Sequence, residues 1–383
     1  MIDVPVLLGL ATAVPPYQVR QGDVRELVYA LFREQYRGVE RLMPVFDNTL
    51  IASRYFSQPL SWFEEQRTFV ESTAAYIEMS VQLLHEASEQ AIRQAGVERD
   101  DIALVVVAST TGIATPSLDA KLLQRLCLPQ TTLRLPIWGL GCAGGVAGLA
   151  RTKELVQSLP AGKHALFAVV ELCSLTFQRN DVSKSNIIAS SLFGDGAAAV
   201  VLGRPERSEV AHAEQMRQGH SAESTTRRQA QNAHKTLSLR ASYSYIFDDS
   251  EDVMGWDVLE TGLKVRFSRD IPTLIRETLP VLLADACVQW GIEREQIRHV
   301  VVHAGGAKVL QAYHDIGISA QHLESAYKVL HDFGNMSSAS VLFALKEFLM
   351  RLDEAEEGFG VMMALGPGFS AEFLLFRVDV PRL

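Results

Sequence analysis

The feature that most restricts what this chain can fold into is a repeat of itself. Ala91–Thr110, "AIRQAGVERDDIALVVVAST", lies over Ala286–Gly305, "ACVQWGIEREQIRHVVVHAG", without a gap. Both read as helix, "G(V/I)ER" turn, "VVV" strand and small-residue loop, so two similar supersecondary units are expected. With the spacing shortened by two residues, "CAGGVAGLARTKEL" from Cys142 falls over "NMSSASVLFALKEF" from Asn335. Each is a run of small residues feeding an apolar helix, which makes Cys142 and Asn335 equivalent positions at helix starts. Near the end of each half a glycine turn leads into a strand, "FGDGAAAVVLG" and then "LGPGFSAEFLLF".

Short β-rich runs such as "ALVVVAS" and "HVVVHA" alternate with helical patterns, which argues for α/β architecture with mixed sheets covered by helices. At 383 residues the chain is long enough for two such halves. They are expected over residues 1–205 and 237–383. Between them, 206–236 is polar and without apolar periodicity, and reads as a surface excursion.

Charge and cysteine usage narrow the function. A net charge of −9 argues against a nucleic-acid surface, which needs clustered Lys and Arg. No run approaches the length of a membrane span, and Asp3 stands where a secretory leader would be basic. Cys127, Cys142, Cys173 and Cys287 show neither disulfide density nor zinc spacing, which suggests a reducing, cytoplasmic setting and no metal site.

Most such cysteines are small buried hydrophobes. Cys142 differs because Gly141, Gly144 and Gly145 surround it, and glycine in a helix is costly unless something must come close. A thiol at a helix start is also expected to be pushed towards thiolate by the macrodipole. His303 ends the second "VVV" strand where the first half has Ala108, an imidazole added to a shared frame. Asn335 alone reads equally well as an ordinary N-cap. Taken together, the three suit thioester chemistry: a thiol to carry an acyl group, and His and Asn N–H groups to hold an enolate oxygen.

With "ATAVPP", "GCAGG", "ELCSLTF", "LFGDGAAAVV", "MGWDV", "GLKVRFSRDIP", "HAGGAKVL", "FGNMSSAS" and "GPGFSAE" in this order, the chain resembles the type III polyketide synthases of the chalcone synthase superfamily. The resemblance spans nearly all of it. It implies a thiolase-like αβαβα layered fold, an acyltransferase that condenses malonyl-CoA extenders by decarboxylative Claisen chemistry, no cofactor besides CoA thioester substrates, and a homodimer. It places the nucleophile on Cys142 and the other catalytic roles on His303 and Asn335.

It also implies a cavity and gate formed by Phe193, Val265 and Thr176, by Thr111 and Thr115, and by the turn Gly366, Pro367 and Gly368. CoA contacts fall on Arg41, Lys308, Gly305 and Gly306. Val265 stands where plant members have a gating phenylalanine. With wording closest to bacterial members, this implies a long-chain fatty acyl starter, on CoA or an acyl carrier protein, and an alkylpyrone or alkylresorcinol product. Of three basic CoA contacts in plant members only Arg41 persists; Pro44 and Asn48 occupy the other two places. Single-condensation ketoacyl synthase III-like chemistry, a small or malonyl starter, and an inactive partner subunit are the alternatives.

Overall fold

The computed structural model describes residues 4–204, 236–268, 270–353 and 356–379. The polar excursion expected at 206–236 lies outside the described residues apart from Thr236, which opens a strand.

Thirteen strands are present among the described residues: β1 Val6–Ala13, β2 Tyr17–Arg20, β3 Ser53–Phe56, β4 Ile102–Ala108, β5 Leu133–Ile137, β6 His164–Leu172, β7 Asp195–Gly203, β8 Thr236–Ile246, β9 Met254–Leu259, β10 Gly262–Phe267, β11 Ile297–Val302, β12 Gly358–Gly366 and β13 Ser370–Asp379. The helices are α1 Gln21–Phe32, α2 Pro44–Asp47, α3 Phe69–Ala95, α4 Leu118–Arg125, α5 Gly144–Val156, α6 Lys184–Leu192, α7 Ile271–Trp290, α8 Ala307–Asp315, α9 Ala320–Phe333 and α10 Ser340–Arg351.

Nine strands form one sheet in the order β11-β12-β13-β8-β1-β7-β6-β4-β5. Outward from the β1–β8 contact, where Val6 and Leu7 pair with Ser238 and Leu237, the order β1-β7-β6-β4 is repeated as β8-β13-β12-β11. The duplication is therefore visible as a sheet symmetric about its middle, with β5 added at one edge. The repeated "G(V/I)ER" turn is also the same object twice. Gly96 and Gly291 end α3 and α7 in left-handed conformation at φ +65° and +69°, the usual glycine stop of a helix.

Continuous apolar runs such as β4 are explained by burial on both faces. Leu104, Val106 and Ala108 join the core containing Val146, Leu149 and Ala150 of α5. Ile102, Val105 and Val107 join the one containing Leu83, Leu84 and Ala87 of α3. Helices α5 and α10 form the middle layer, packed on each other and on strands of both halves. Gly145 makes this possible, since a Cβ there would collide with the Ser338 carbonyl. The fold is mixed α/β, as the repeat implies.

Candidate active site

Each central helix is entered through a single 3-10 turn, Gly141–Ala143 before α5 and Ser337–Ala339 before α10. The two turns share an unusual backbone: Gly141 has φ +46° and Ser337 φ +47°. This match sets Gly141 on Ser337 and Cys142 on Ser338, three positions beyond Asn335. The equivalence of Cys142 and Asn335 is thus corrected by just under one helical turn, because the spacing between the two turns is slightly longer than that between the first repeated units rather than two residues shorter. The pairing of His303 with Ala108 stands, since β4 and β11 both follow directly on 3-10 turns.

Cys142, His303 and Asn335 nevertheless converge. All three line one cavity of about 460 Å³, within the usual size for a small-molecule site, and all three are buried. The Cys142 thiol donates to the Ser337 hydroxyl, Sγ to Oγ, over 3.6 Å. Asn335 is fixed at both ends: its Nδ2 donates to the Gly305 carbonyl at 3.0 Å, and its Oδ1 accepts from the Ser337 amide at 2.8 Å. One Nδ2–H remains for an incoming oxygen. Neither ring nitrogen of His303 has a hydrogen-bond partner, and at 5% exposure such a ring is poised for a ligand rather than satisfied by the protein.

Protonation departs from the expected thiolate. Burial pushes the Cys142 thiol up to about 12, the Ser337 bond acting against it and the charge of Glu171 adding to it. Burial also brings His303 down to about 4. The resting pair is a thiol and a neutral imidazole: desolvation outweighs the pull of a helix start. His303 is then neutral, with a lone pair on one ring nitrogen that can accept a proton.

Two residues that sequence reasoning missed support this site. Glu171, at the end of β6, is completely buried. It accepts from the Thr110 and Thr111 amides at 3.0 and 3.1 Å, the Thr111 hydroxyl at 2.8 Å and the Ser338 hydroxyl at 2.6 Å. One carboxyl thus ties the turn before α10 to the loop after β4. Arg54, also buried, donates from Nη1 to the Phe193 carbonyl at 2.7 Å and from Nη2 to Gln21 Oε1 at 2.6 Å. A glutamate ending "AVVEL" and an arginine opening "RYF" carry no periodic signal of burial; only a charged residue inside an apolar run could have drawn notice.

The remaining expected residues separate into groups. Phe193, Val265 and Thr176 line a second, apolar recess of about 40 Å³ with Val24, Val28 and Phe63. The Phe193 ring lies 5.6 Å from Phe267, which lines the main cavity, so Phe193 stands in the wall between the two. Arg41, Lys308 and Gly305 line the main cavity. Lys184 does so as well and was not expected. Asn48 turns its amide back onto the Pro44 carbonyl at 2.8 Å.

Thr111, Thr115, Gly306 and the turn Gly366, Pro367 and Gly368 line neither recess. Thr111 is spent on Glu171 and on the Leu172 amide, and Thr115 is exposed. Gly306 caps α8. Gly366 and Pro367 back the nucleophile turn: the Pro367 ring would stand 2.7 Å from a Cβ on Gly141, and a Cβ on Gly366 would strike Leu140 and Ala143. Gly368 only turns the chain, at φ +100°.

Among the described residues no helix is long and apolar enough to cross a membrane, and no group of three or more His, Cys, Asp or Glu is placed to hold a metal ion.

Comparison with known proteins gives this geometry its setting. A Bacillus subtilis (strain 168) protein named "Putative chalcone synthase" is 36% identical, over 97% of this chain and 98% of its own length. The 1,3,6,8-tetrahydroxynaphthalene synthase of Streptomyces peucetius subsp. caesius is 34% identical, over 96% and 91%. The crystal structure of 1,3,6,8-tetrahydroxynaphthalene synthase from Streptomyces coelicolor A3(2), a bacterial type III polyketide synthase, shares the fold with a TM-score of 0.85 at 24% identity, covering 98% of this chain and 100% of that one. Residues 4–205 match the family model of the chalcone and stilbene synthases, N-terminal domain, and 238–380 match that of the C-terminal domain. The chain belongs to this family, the type III polyketide synthases, and is an acyl-transferring condensing enzyme.

Proposed function

We propose that the enzyme loads a long-chain fatty acyl starter from CoA or a carrier protein onto Cys142, extends it with malonyl-CoA in several rounds, and closes the chain to an alkylpyrone or alkylresorcinol. The observation that carries the chemistry is one cavity lined by a thiol, a ring with both nitrogens unpaired and an amide held at both ends.

In the loading step the Cys142 sulfur bonds to the acyl carbon as its proton passes to the His303 imidazole. The tetrahedral carbon then expels the carrier thiolate, which takes that proton away. In the extension step the malonyl carboxylate leaves as carbon dioxide, and the electron pair of the broken C–C bond becomes an enolate. The free Nδ2–H of Asn335 and an N–H of His303 hold its oxygen. The enolate carbon attacks the acyl-Cys142 carbonyl and the thiolate leaves. These steps balance without a resident cofactor.

The starter reading is supported by Val265 and by the apolar lining of the recess behind Phe193, which includes Val24, Leu27, Val28, Phe56 and Phe63. A second reading, a small or malonyl starter, draws on that recess holding only about 40 Å³; a long alkyl chain needs its walls to turn aside.

The test is mass spectrometry of products formed from malonyl-CoA with starters from acetyl-CoA to palmitoyl-CoA. Octanoyl-CoA and longer starters are expected to give extended products at least about tenfold more efficiently than acetyl-CoA, a difference of about 1.4 kcal/mol in transition-state binding. Products from small starters alone would sink the long-chain reading. One malonyl unit per product would signal single condensation. The intact enzyme should gain the mass of the acyl group, and Cys142→Ala should not. Loss of Cys142-dependent acylation from the wild type would point to an inactive partner subunit.

A further inference from the structure

The cavity of Cys142, His303 and Asn335 carries one sign of charge. Arg41, Lys184 and Lys308 line it, with no carboxylate among its lining residues, in a chain whose net charge is −9. The three cations are exposed, whereas Cys142, His303 and Asn335 are buried, so charge marks the mouth and chemistry the floor. Arg41 donates only its backbone amide, to the Gly38 carbonyl. Among the described residues, no side-chain hydrogen bond or ion pair occupies any of the three.

Two of the cations also stand where a helix disfavours them. Lys184 is the first residue of α6 and Lys308 the second of α8, and neither helix has an acidic residue in its first turn. Each ammonium is set against the positive end of a helix dipole. An anion at the mouth turns that repulsion into attraction, drawing on the lysine charges.

We propose that Lys184 joins Arg41 and Lys308, where the resemblance places CoA contacts, at the mouth of this site, and that Lys184 sets selectivity for phosphorylated CoA thioesters over thioesters without phosphate. The inference rests on the proposed function, since it assigns the carrier end of the same substrates. Lys184 supplies charge that the Asn48 side chain, neutral and folded back onto Pro44, does not.

The test compares two extenders on the full-length enzyme with one starter: malonyl-CoA, and the malonyl thioester of N-acetylcysteamine, which keeps the reacting atoms and lacks every phosphate. Lys184→Ala is expected to raise KM for malonyl-CoA about three- to tenfold, the scale of one partly screened charge contact, and Lys184→Glu to raise it further. Lys184→Arg should restore it. The change on the truncated thioester should be several times smaller, and raised salt should narrow the gap between the two substrates for the wild type more than for Lys184→Ala.

Equal effects of Lys184→Ala on both thioesters, or no effect on either, would overturn the proposal while leaving the condensing reaction in place. Failure of the wild type to condense either one would instead strike the proposed function.

Discussion

Glu171 is a carboxyl held where its type is rarely found, wholly inside the protein. Burial raises its carboxyl to about 7, against the opposing bonds from Ser338, Thr110 and Thr111. A carboxyl with a raised pKa in the folded state binds its proton more tightly folded than unfolded. Its contribution to stability is complete below the unfolded value of about 4.5 and is lost as pH rises through about 7. The shift corresponds to roughly 3 kcal/mol. Thermal unfolding of Glu171→Gln from pH 5 to 8 is therefore expected to show a flatter fall in Tm than the wild type.

Asp195, raised by burial to about 6, acts in the same direction. His303, lowered to about 4, acts oppositely and weakens the fold as pH drops below 6.5. Both remain in the variant, so the difference isolates Glu171; parallel Tm profiles would show that its proton plays no part. Cys142 and His303 were legible in the sequence because glycines and a broken repeat single them out. Glu171, Arg54 and Lys184 were not: what marks them is burial, or a shared cavity, between residues far apart in the chain. The ionisation of Cys142 was misjudged for the same reason, because desolvation has no sequence pattern.

Among the elements, α5 and α10 bear most on the site, since each turn that opens them supplies part of it. Their contact is set by Gly145, where an added Cβ would meet Ser338 and Val341. Gly145→Ala is expected to destabilise by about 1–3 kcal/mol through overpacking and to displace the Ser338 bond to Glu171. Gly22→Ala in α1, with nothing within 4 Å of its Cβ position, should leave stability unchanged or slightly raised. Denaturant unfolding of the pair separates packing from helix propensity; equal midpoints would contradict the close approach. The repeat made the existence of both helices legible. The register between them was not, because equivalence is carried by the positive φ of Gly141 and Ser337, which a run of small residues does not reveal.

At the scale of the whole molecule the added strand β5 breaks the symmetry of the sheet. It is the outermost strand beside β4, and Leu133 at 60%, Trp138 at 54% and Ile113 at 43% exposure sit on or near it. An edge with exposed apolar side chains is a surface for pairing, which supports a homodimer joined through this region. Sedimentation is expected to find a dimer that Trp138→Glu shifts towards monomer; an unchanged mass for the variant would place the interface elsewhere. The layered frame was legible from the repeat, whereas an unrepeated strand at its edge was not.

The link between Phe193 and Asn335 has a consequence for how enzymes of this kind diversify. The Asn335 amide donates to the Leu192 carbonyl at 2.8 Å and the Gly194 amide to the Asn335 carbonyl at 3.0 Å, while Arg54 holds the Phe193 carbonyl. Insertions or deletions around Phe193 would therefore drag the Asn335 amide with them. Val265 on β10 and the α1 residues Val24, Leu27 and Val28 face the same recess from elements that hold neither Cys142, His303 nor Asn335. Substrate range can drift, or be redesigned, through those side chains while the chemistry stays in register.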